Sequence, residues 1–119
     1  MSSCAHSSLG PSPGCGGASA NPLPTFAWLA RFGTDFDRLS PSQQSAFLAA
    51  VVGFVDDLRA GRGFRNGLRV KGVRGAGGIF EMTWAEDGRA TFHYGQSVTG
   101  GETHIIWRRV GTHEVLKAP

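Results

Sequence analysis

Residues 79–95 read IFEMTWAEDGRATFHYG, and their pattern decides the fold. Before the turn, Phe80, Met82 and Trp84 fall on one face and Ile79, Glu81 and Thr83 on the other. After it, Ala90, Phe92 and Tyr94 continue the apolar face, while Arg89, Thr91 and His93 continue the polar one. A period of two marks half-buried strands, and Asp87-Gly88 between two such runs is a strong hairpin signal. The prediction is an antiparallel hairpin with one face that needs a cover and one that can stay wet.

Immediately before the hairpin stands a basic stretch, FRNGLRVKGVRG at residues 64–75. It carries Arg65, Arg69, Lys71 and Arg74 with no acidic residue among them. Leu68, Val70 and Val73 are interspersed, which predicts a strand over 68–73 with Arg69 and Lys71 on one face. Gly75-Ala76-Gly77-Gly78 is a turn between strands; with no helix start and no Lys-Ser/Thr behind it, it is not a phosphate loop. After the hairpin, residues 96–102 form a Gly-containing loop and 103–110 a last strand carrying Trp107, Arg108 and Arg109. Residues 111–119 are a tail with His113 and Lys117.

The cover for the apolar face comes from earlier in the chain. Ser40-Pro41-Ser42-Gln43 is a capping box with proline at the first helical position. Phe47, Leu48, Val51, Phe54, Val55 and Leu58 then recur as a helical stripe, and Gly61 ends it. Phe32, Phe36 and Leu39 give a shorter helix over 31–39, and residues 25–29 read as a strand whose Phe26 and Trp28 feed the core. The expected architecture is α+β: an N-terminal strand, two helices, then an antiparallel meander of about four strands, with the helices packed on one face.

At 119 residues the chain is one domain, expected over 24–119. Its net charge of +3 is unevenly placed. Residues 23–58 hold two arginines against four aspartates, whereas residues 59–119 hold ten basic side chains against five acidic ones. The second half is therefore the candidate binding half, for an anion such as RNA, DNA or an acidic protein. Residues 1–23 are Ser, Gly, Pro and Ala without a charged side chain, and are expected to be a disordered tail without the basic start of a signal peptide. Cys4, His6 and Cys15 lack a fourth ligand and a regular spacing, so no metal or other cofactor is expected. No run approaches a membrane span, and a folded region without cysteine suits the cytoplasm.

The ordered set GLRVKGVRG (67–75), GGIFEMTW (77–84), DGRATFHYG (87–95) and RRVGTHEVL (108–116) resembles the RelE/ParE superfamily of small toxins from type II toxin–antitoxin modules. The resemblance runs from about residue 25 to 116. It implies a RelE-like toxin neutralised by a cognate antitoxin. In the RelE-like branch it implies cleavage of mRNA, usually on the ribosome, to repress translation. In the ParE-like branch it implies gyrase inhibition without ribonuclease chemistry, and an inactive binding member is a further alternative. Arg69 and Lys71 fall where RelE-like ribonucleases carry cations on the second strand. Gly111-Thr112-His113 resembles the Gly-Ser-His of the YafQ-like branch, whose histidine is catalytic. Two positions depart: Glu81, where many members have Arg, and Leu116, where several have Tyr or Phe. Arg89 is placed to supply the missing guanidinium.

The chemistry can be set out without the family. RNA is cleaved when its 2′-OH attacks the adjacent phosphorus, which requires a base, an acid for the leaving 5′-oxygen and stabilisation of the extra charge. His113 suits acid or base work, since histidine titrates near neutrality. Lys71 and Arg89 suit the charged transition state. Glu81 is either a base or the group that holds Arg89. Arg65, Arg69, Arg74, Arg108 and Arg109 are candidates for RNA backbone contacts. Each has a plainer reading: a solvated strand face for Arg69 and Lys71, a structural ion pair for Glu81 with Arg89, a polar tail for His113. His93 and His104 read as structural, and Trp84 and Trp107 as core.

Overall fold

The computed structural model describes residues 24–97 and 101–119. The expectations for the charge-free tail, and for Cys4, His6 and Cys15, lie outside the described residues. The elements are β1 (Thr25–Trp28), α1 (Ala30–Arg38), α2 (Pro41–Ala60), β2 (Lys71–Gly72), β3 (Phe80–Thr83), β4 (Gly88–Gly95) and β5 (His104–Thr112). Single 3-10 turns occupy Asn66–Leu68 and His113–Lys117. The strands form one sheet in the order β1-β5-β4-β3-β2. β1 runs parallel to β5, and the remaining pairs are antiparallel. This is the expected α+β arrangement, with the N-terminal strand closing the sheet on the far side from β2.

α2 starts and stops where its sequence dictates. The Ser40 hydroxyl accepts from the Gln43 N–H at 3.2 Å, and the Gln43 side-chain oxygen accepts from the Ser40 N–H at 2.8 Å. Gly61 ends the helix in the left-handed region (φ 71°), which glycine enters without a Cβ clash. Two turns apart on one face, Phe47 and Phe54 are buried against the sheet. Phe54 meets Phe92 edge-on at 5.1 Å, and Phe47 meets Trp107 edge-on at 5.4 Å. With Met82, Ala90, Ile105 and Val110 they make the core. Each such aromatic contributes about 1.5–3 kcal/mol by leaving water.

α1 is held by charge as well as by Phe32. Asp35, buried at 8% exposure, accepts from Arg109 at 2.6 and 3.2 Å and from the Val110 backbone N–H at 3.2 Å. The last register pair of β1 with β5 is Trp28 with Trp107. Asp35 thus satisfies an N–H of β5 beyond the reach of its neighbouring strand.

Several local expectations are corrected. Residues 68–73 are not one strand. Asn66–Leu68 turn as a 3-10 helix, Arg69 follows at φ 48°, and pairing is limited to Lys71 with Glu81 and Gly72 with Phe80. The turn carries Leu68 into the core instead of along a sheet face, so Arg69 and Lys71 do not alternate on one strand. The polar face of the sheet is not open throughout either. The C-terminal segment folds back over part of it, where the Thr91 hydroxyl donates to the Pro119 carbonyl at 3.3 Å; Thr91 has no exposure and Glu81 has 7%. Trp28 is 65% exposed and Leu48 54%, and with Phe26 both line an apolar groove beside α1 in place of filling the core. Among the described residues, no helix is long and apolar enough to cross a membrane.

Candidate active site

The register of β2, β3 and β4 sets which polar side chains meet. Lys71 stands opposite Glu81, Glu81 opposite Thr91, and Thr83 opposite Arg89. Side chains two apart on a strand share a face, so Lys71, Glu81 and Arg89 lie on the side away from the helices. Residues directly opposite in an antiparallel pair have Cβ atoms about 5 Å apart. Lys71 is exposed and makes no ion pair among the described residues.

Arg89 is fixed by the turn that precedes it. One of its terminal nitrogens, Nη1, donates to the carbonyls of Gly88 at 3.0 Å, Glu86 at 3.3 Å and Ala85 at 3.5 Å. The Asp-Gly turn thus both closes the hairpin and clamps the guanidinium. Gly88 itself is required by contact: a Cβ there would sit 2.5 Å from the Trp84 indole, which lies across the strand start. The Arg89 Nε is 3.9 Å from the Glu81 carboxylate, close enough for attraction and too far for a hydrogen bond. Glu81 accepts no side-chain hydrogen bond among the described residues.

The tail completes the cluster. Arg89 stands opposite Gly111, and a Cβ at Gly111 would approach Val115 to 3.1 Å. A small residue there lets the chain double back. The Thr112 hydroxyl caps the returning turn by accepting from the Glu114 N–H at 3.3 Å. His113 then reaches the hairpin turn, with Nδ1 2.7 Å from the Asp87 carboxylate and Nε2 3.3 Å from Glu114. The hydrogen bond from His113, with Arg89 farther off, holds the Asp87 carboxyl below the usual carboxylate range. His113, Asp87 and Arg89 therefore form one electrostatic group. Asp87 carries no chemical signal in the sequence beyond its place in an Asp-Gly turn; only the folded-back tail gives it a partner.

The remaining predicted cations disperse. Arg65 lies against α2, where its guanidinium takes the Asp57 carboxylate at 2.9 and 3.0 Å and its backbone N–H donates to the same group. It also rests on Gly53, whose missing Cβ leaves room for it. Arg109 is committed to Asp35 and to the Ala118 carbonyl. Arg108 donates to the Pro119 carbonyl at 3.0 Å and meets His93 Nδ1 at 3.2 Å, so His93 accepts through that nitrogen. Burial first, then Arg108 and His104, hold the His93 pKa below its ordinary value. Arg74 is exposed in the loop before β3, and Arg69 lies in the turn before β2. The structure thus brings together Lys71, Glu81, Arg89 and His113 and leaves Arg65, Arg108 and Arg109 in structural contacts. Among the described residues there is no group of three or more metal-ligating side chains.

The sequence matches no protein-family model and no curated protein. The structure does have close counterparts. A chain of the E. coli DinJ–YafQ toxin–antitoxin complex superposes with a TM-score of 0.60 at 9% identity, over 80% of this chain and 98% of that one. The fold is that of the RelE-like toxins. The YoeB/ParE toxin from Agrobacterium tumefaciens gives 0.56 at 10% identity, over 75% of this chain and 98% of its own. The RelB–RelE antitoxin–toxin complex from Methanococcus jannaschii gives 0.50 at 13%, over 77% and 95%. Identities this low fix the RelE-like fold and nothing beyond it. Nearly the whole of each counterpart is matched, 95–98% of its length.

Proposed function

We propose that this chain is the toxin of a type II toxin–antitoxin module and acts as a metal-independent endoribonuclease on mRNA, at the ribosome, to repress translation. The observation that carries the reading is the row Lys71–Glu81–Arg89, joined at the hairpin turn by His113 and Asp87. A carboxylate, an imidazole and two cations gathered at one end of a small sheet support the roles that follow. Glu81 takes the proton of the 2′-OH, the 2′-oxygen bonds to phosphorus, and the bond from phosphorus to the 5′-oxygen breaks. His113 gives a proton to that 5′-oxygen, leaving a 2′,3′-cyclic phosphate and a 5′-hydroxyl. Lys71 and the clamped Arg89 face the charge that builds on the phosphoryl oxygens. A guanidinium fixed before substrate arrives needs no reorganisation during the reaction. The solved counterparts that are toxin–antitoxin complexes, and the excess of cations in the second half of the chain, support an acidic antitoxin segment as the partner over this face.

The test is controlled expression in a bacterial host with mapping of cellular RNA 5′ ends. The expected result is growth arrest with new 5′-hydroxyl ends inside coding sequences, both lost in His113→Ala and Lys71→Ala. Full toxicity in both variants would remove this mechanism. Intact messages together with a DNA-damage response would favour the ParE-like alternative.

A further inference from the structure

Beside this cluster lies a groove of about 490 Å³, lined among others by Gly67, Arg69, Thr83, Trp84, Glu86 and Arg89. It exists because β2 is short. Lys71 pairs with Glu81, so a longer strand would set residue 69 against Thr83. The chain leaves the sheet instead, and the gap between residues 67–69 and 83–86 stays open. The departure is made at Arg69, the one non-glycine residue with positive φ among the described residues (48°). Left-handed backbone is unfavourable for a long side chain, and such residues cluster where a ligand is held. The backbone N–H of Arg69 caps the 3-10 turn by donating to the Asn66 carbonyl at 3.1 Å, but the Arg69 side chain has no hydrogen-bond or ion-pair partner among the described residues. Arg69 and Arg89 both line the groove, and Arg69 is exposed, so its unpartnered cation can take an anion there. The Trp84 indole N–H in the same wall is buried without an acceptor, an arrangement folded proteins rarely leave unexplained.

We propose that this groove is the subsite for the nucleotide next to the cleaved linkage. Its phosphate is held by Arg69, while Arg89 stays with the scissile phosphate, and its base lies along the Trp84 wall towards Glu86. The inference rests on the ribonuclease reading and adds to it a specificity. A carboxylate at the mouth only accepts hydrogen bonds, so it favours a base with an exocyclic amino group and disfavours uracil. Arg69 is in this sense a positioning residue, set by a strained backbone for a phosphate that the reaction does not consume.

The test uses the full chain and eight-nucleotide single-stranded RNAs with a 2′-deoxy sugar at the cleaved position, so that binding is read by fluorescence anisotropy without turnover. Arg69→Ala and Arg69→Gly are expected to weaken binding by about tenfold or more, as for loss of a charge-assisted phosphate contact. Arg69→Gly relieves the left-handed strain and is expected to unfold at an equal or higher temperature than the parent, which separates lost binding from lost folding. Uridine at the neighbouring position is expected to bind several-fold more weakly than adenosine or cytidine, and Glu86→Ala to remove that difference. If the parent binds and cleaves RNA but the Arg69 variants bind equally well, the subsite is wrong and the ribonuclease reading stands. If the parent does not bind these RNAs, the subsite falls, and the presence or absence of new 5′-hydroxyl ends in expressing cells decides the ribonuclease reading separately. If the Arg69 variants lose affinity while base discrimination survives Glu86→Ala, the base is not read as proposed.

Discussion

Replacing Asp35 by alanine separates the structural from the RNA-binding reading of Arg109. The carboxylate makes three bonds: two from the Arg109 guanidinium at 2.6 and 3.2 Å, and one from the Val110 N–H at 3.2 Å. Val110 is 2% exposed, so its N–H has no water to turn to, and an orphaned buried donor costs about 1–3 kcal/mol. The Arg109 side chain keeps 24% exposure and can rehydrate in part, so its loss is less than the roughly 3–5 kcal/mol of a fully buried broken pair. Together the expected loss is about 3 kcal/mol, a large share of the 5–15 kcal/mol typical of a domain. For a folded region of this size that lowers the midpoint of thermal unfolding by roughly 12–24 °C. Asp35→Asn keeps an acceptor for Val110 and is expected to lose about half as much. Circular dichroism melts and urea titrations of both variants, with Arg109→Ala and the double variant, give the coupling directly. Under native conditions Arg109→Ala should bind RNA with parent affinity. A loss below about 1 kcal/mol in Asp35→Ala, or a drop in RNA affinity in folded Arg109→Ala, would refute the assignment of this arginine to the fold.

Other expectations follow from single contacts. His113→Ala should lower cleavage by about a hundredfold or more, as for a general acid, and Asp87→Asn by about tenfold, read as initial rates on one RNA. Gly88→Ala should destabilise by about 1–3 kcal/mol in a urea titration, because its Cβ would meet the rigid Trp84 ring and not a flexible chain end. The Arg65 hydrogen bonds hold the Asp57 carboxyl below its ordinary value of 3.8. A depressed carboxylate stabilises above its unfolded pKa and loses that effect as pH falls through the folded one. The gap in melting temperature between parent and Arg65→Ala should therefore be full at pH 6 and close progressively below about pH 4. A gap that persisted at pH 2 would mean that Arg65 acts through packing on Gly53 instead.

The sequence made the hairpin and α2 legible because both are set by nearest neighbours. Alternation and an Asp-Gly turn define one, a capping box and a terminal glycine the other. The basic stretch was misread for a definite reason. Val70 and Val73 favour a strand, but Leu68 is claimed by the core, and a 3-10 turn at Asn66–Leu68 is what takes it there. Periodicity counts apolar residues; it does not say which layer they join. The exposure of Trp28 is a similar case, since β1 lies at the sheet edge, where one side chain in two meets no neighbour. At the site, Lys71, Glu81 and Arg89 could be placed on one face from register alone. Asp87 could not, because its partner arrives from 26 residues away along a tail with no periodic pattern.

That tail links fold to chemistry. Val115 over Gly111 and the Pro119 carbonyl on Thr91 and Arg108 seat it on the sheet's polar face, and the same fold-back delivers His113 to the hairpin. The histidine's position is thus bought with backbone contacts that lie away from the reacting groups. A change at Gly111 would act on catalysis without touching a charged residue. Its Cβ would press on Val115 at 3.1 Å, tighter than ordinary contact, and shift the turn that carries His113. Small displacements of a catalytic group cost about a hundredfold in rate while leaving substrate affinity nearly intact. Gly111→Ala should therefore lower kcat far more than it raises KM, whereas Arg69→Ala should do the reverse. A pair of variants with the opposite split would mean that the tail holds the substrate and the groove serves the chemistry.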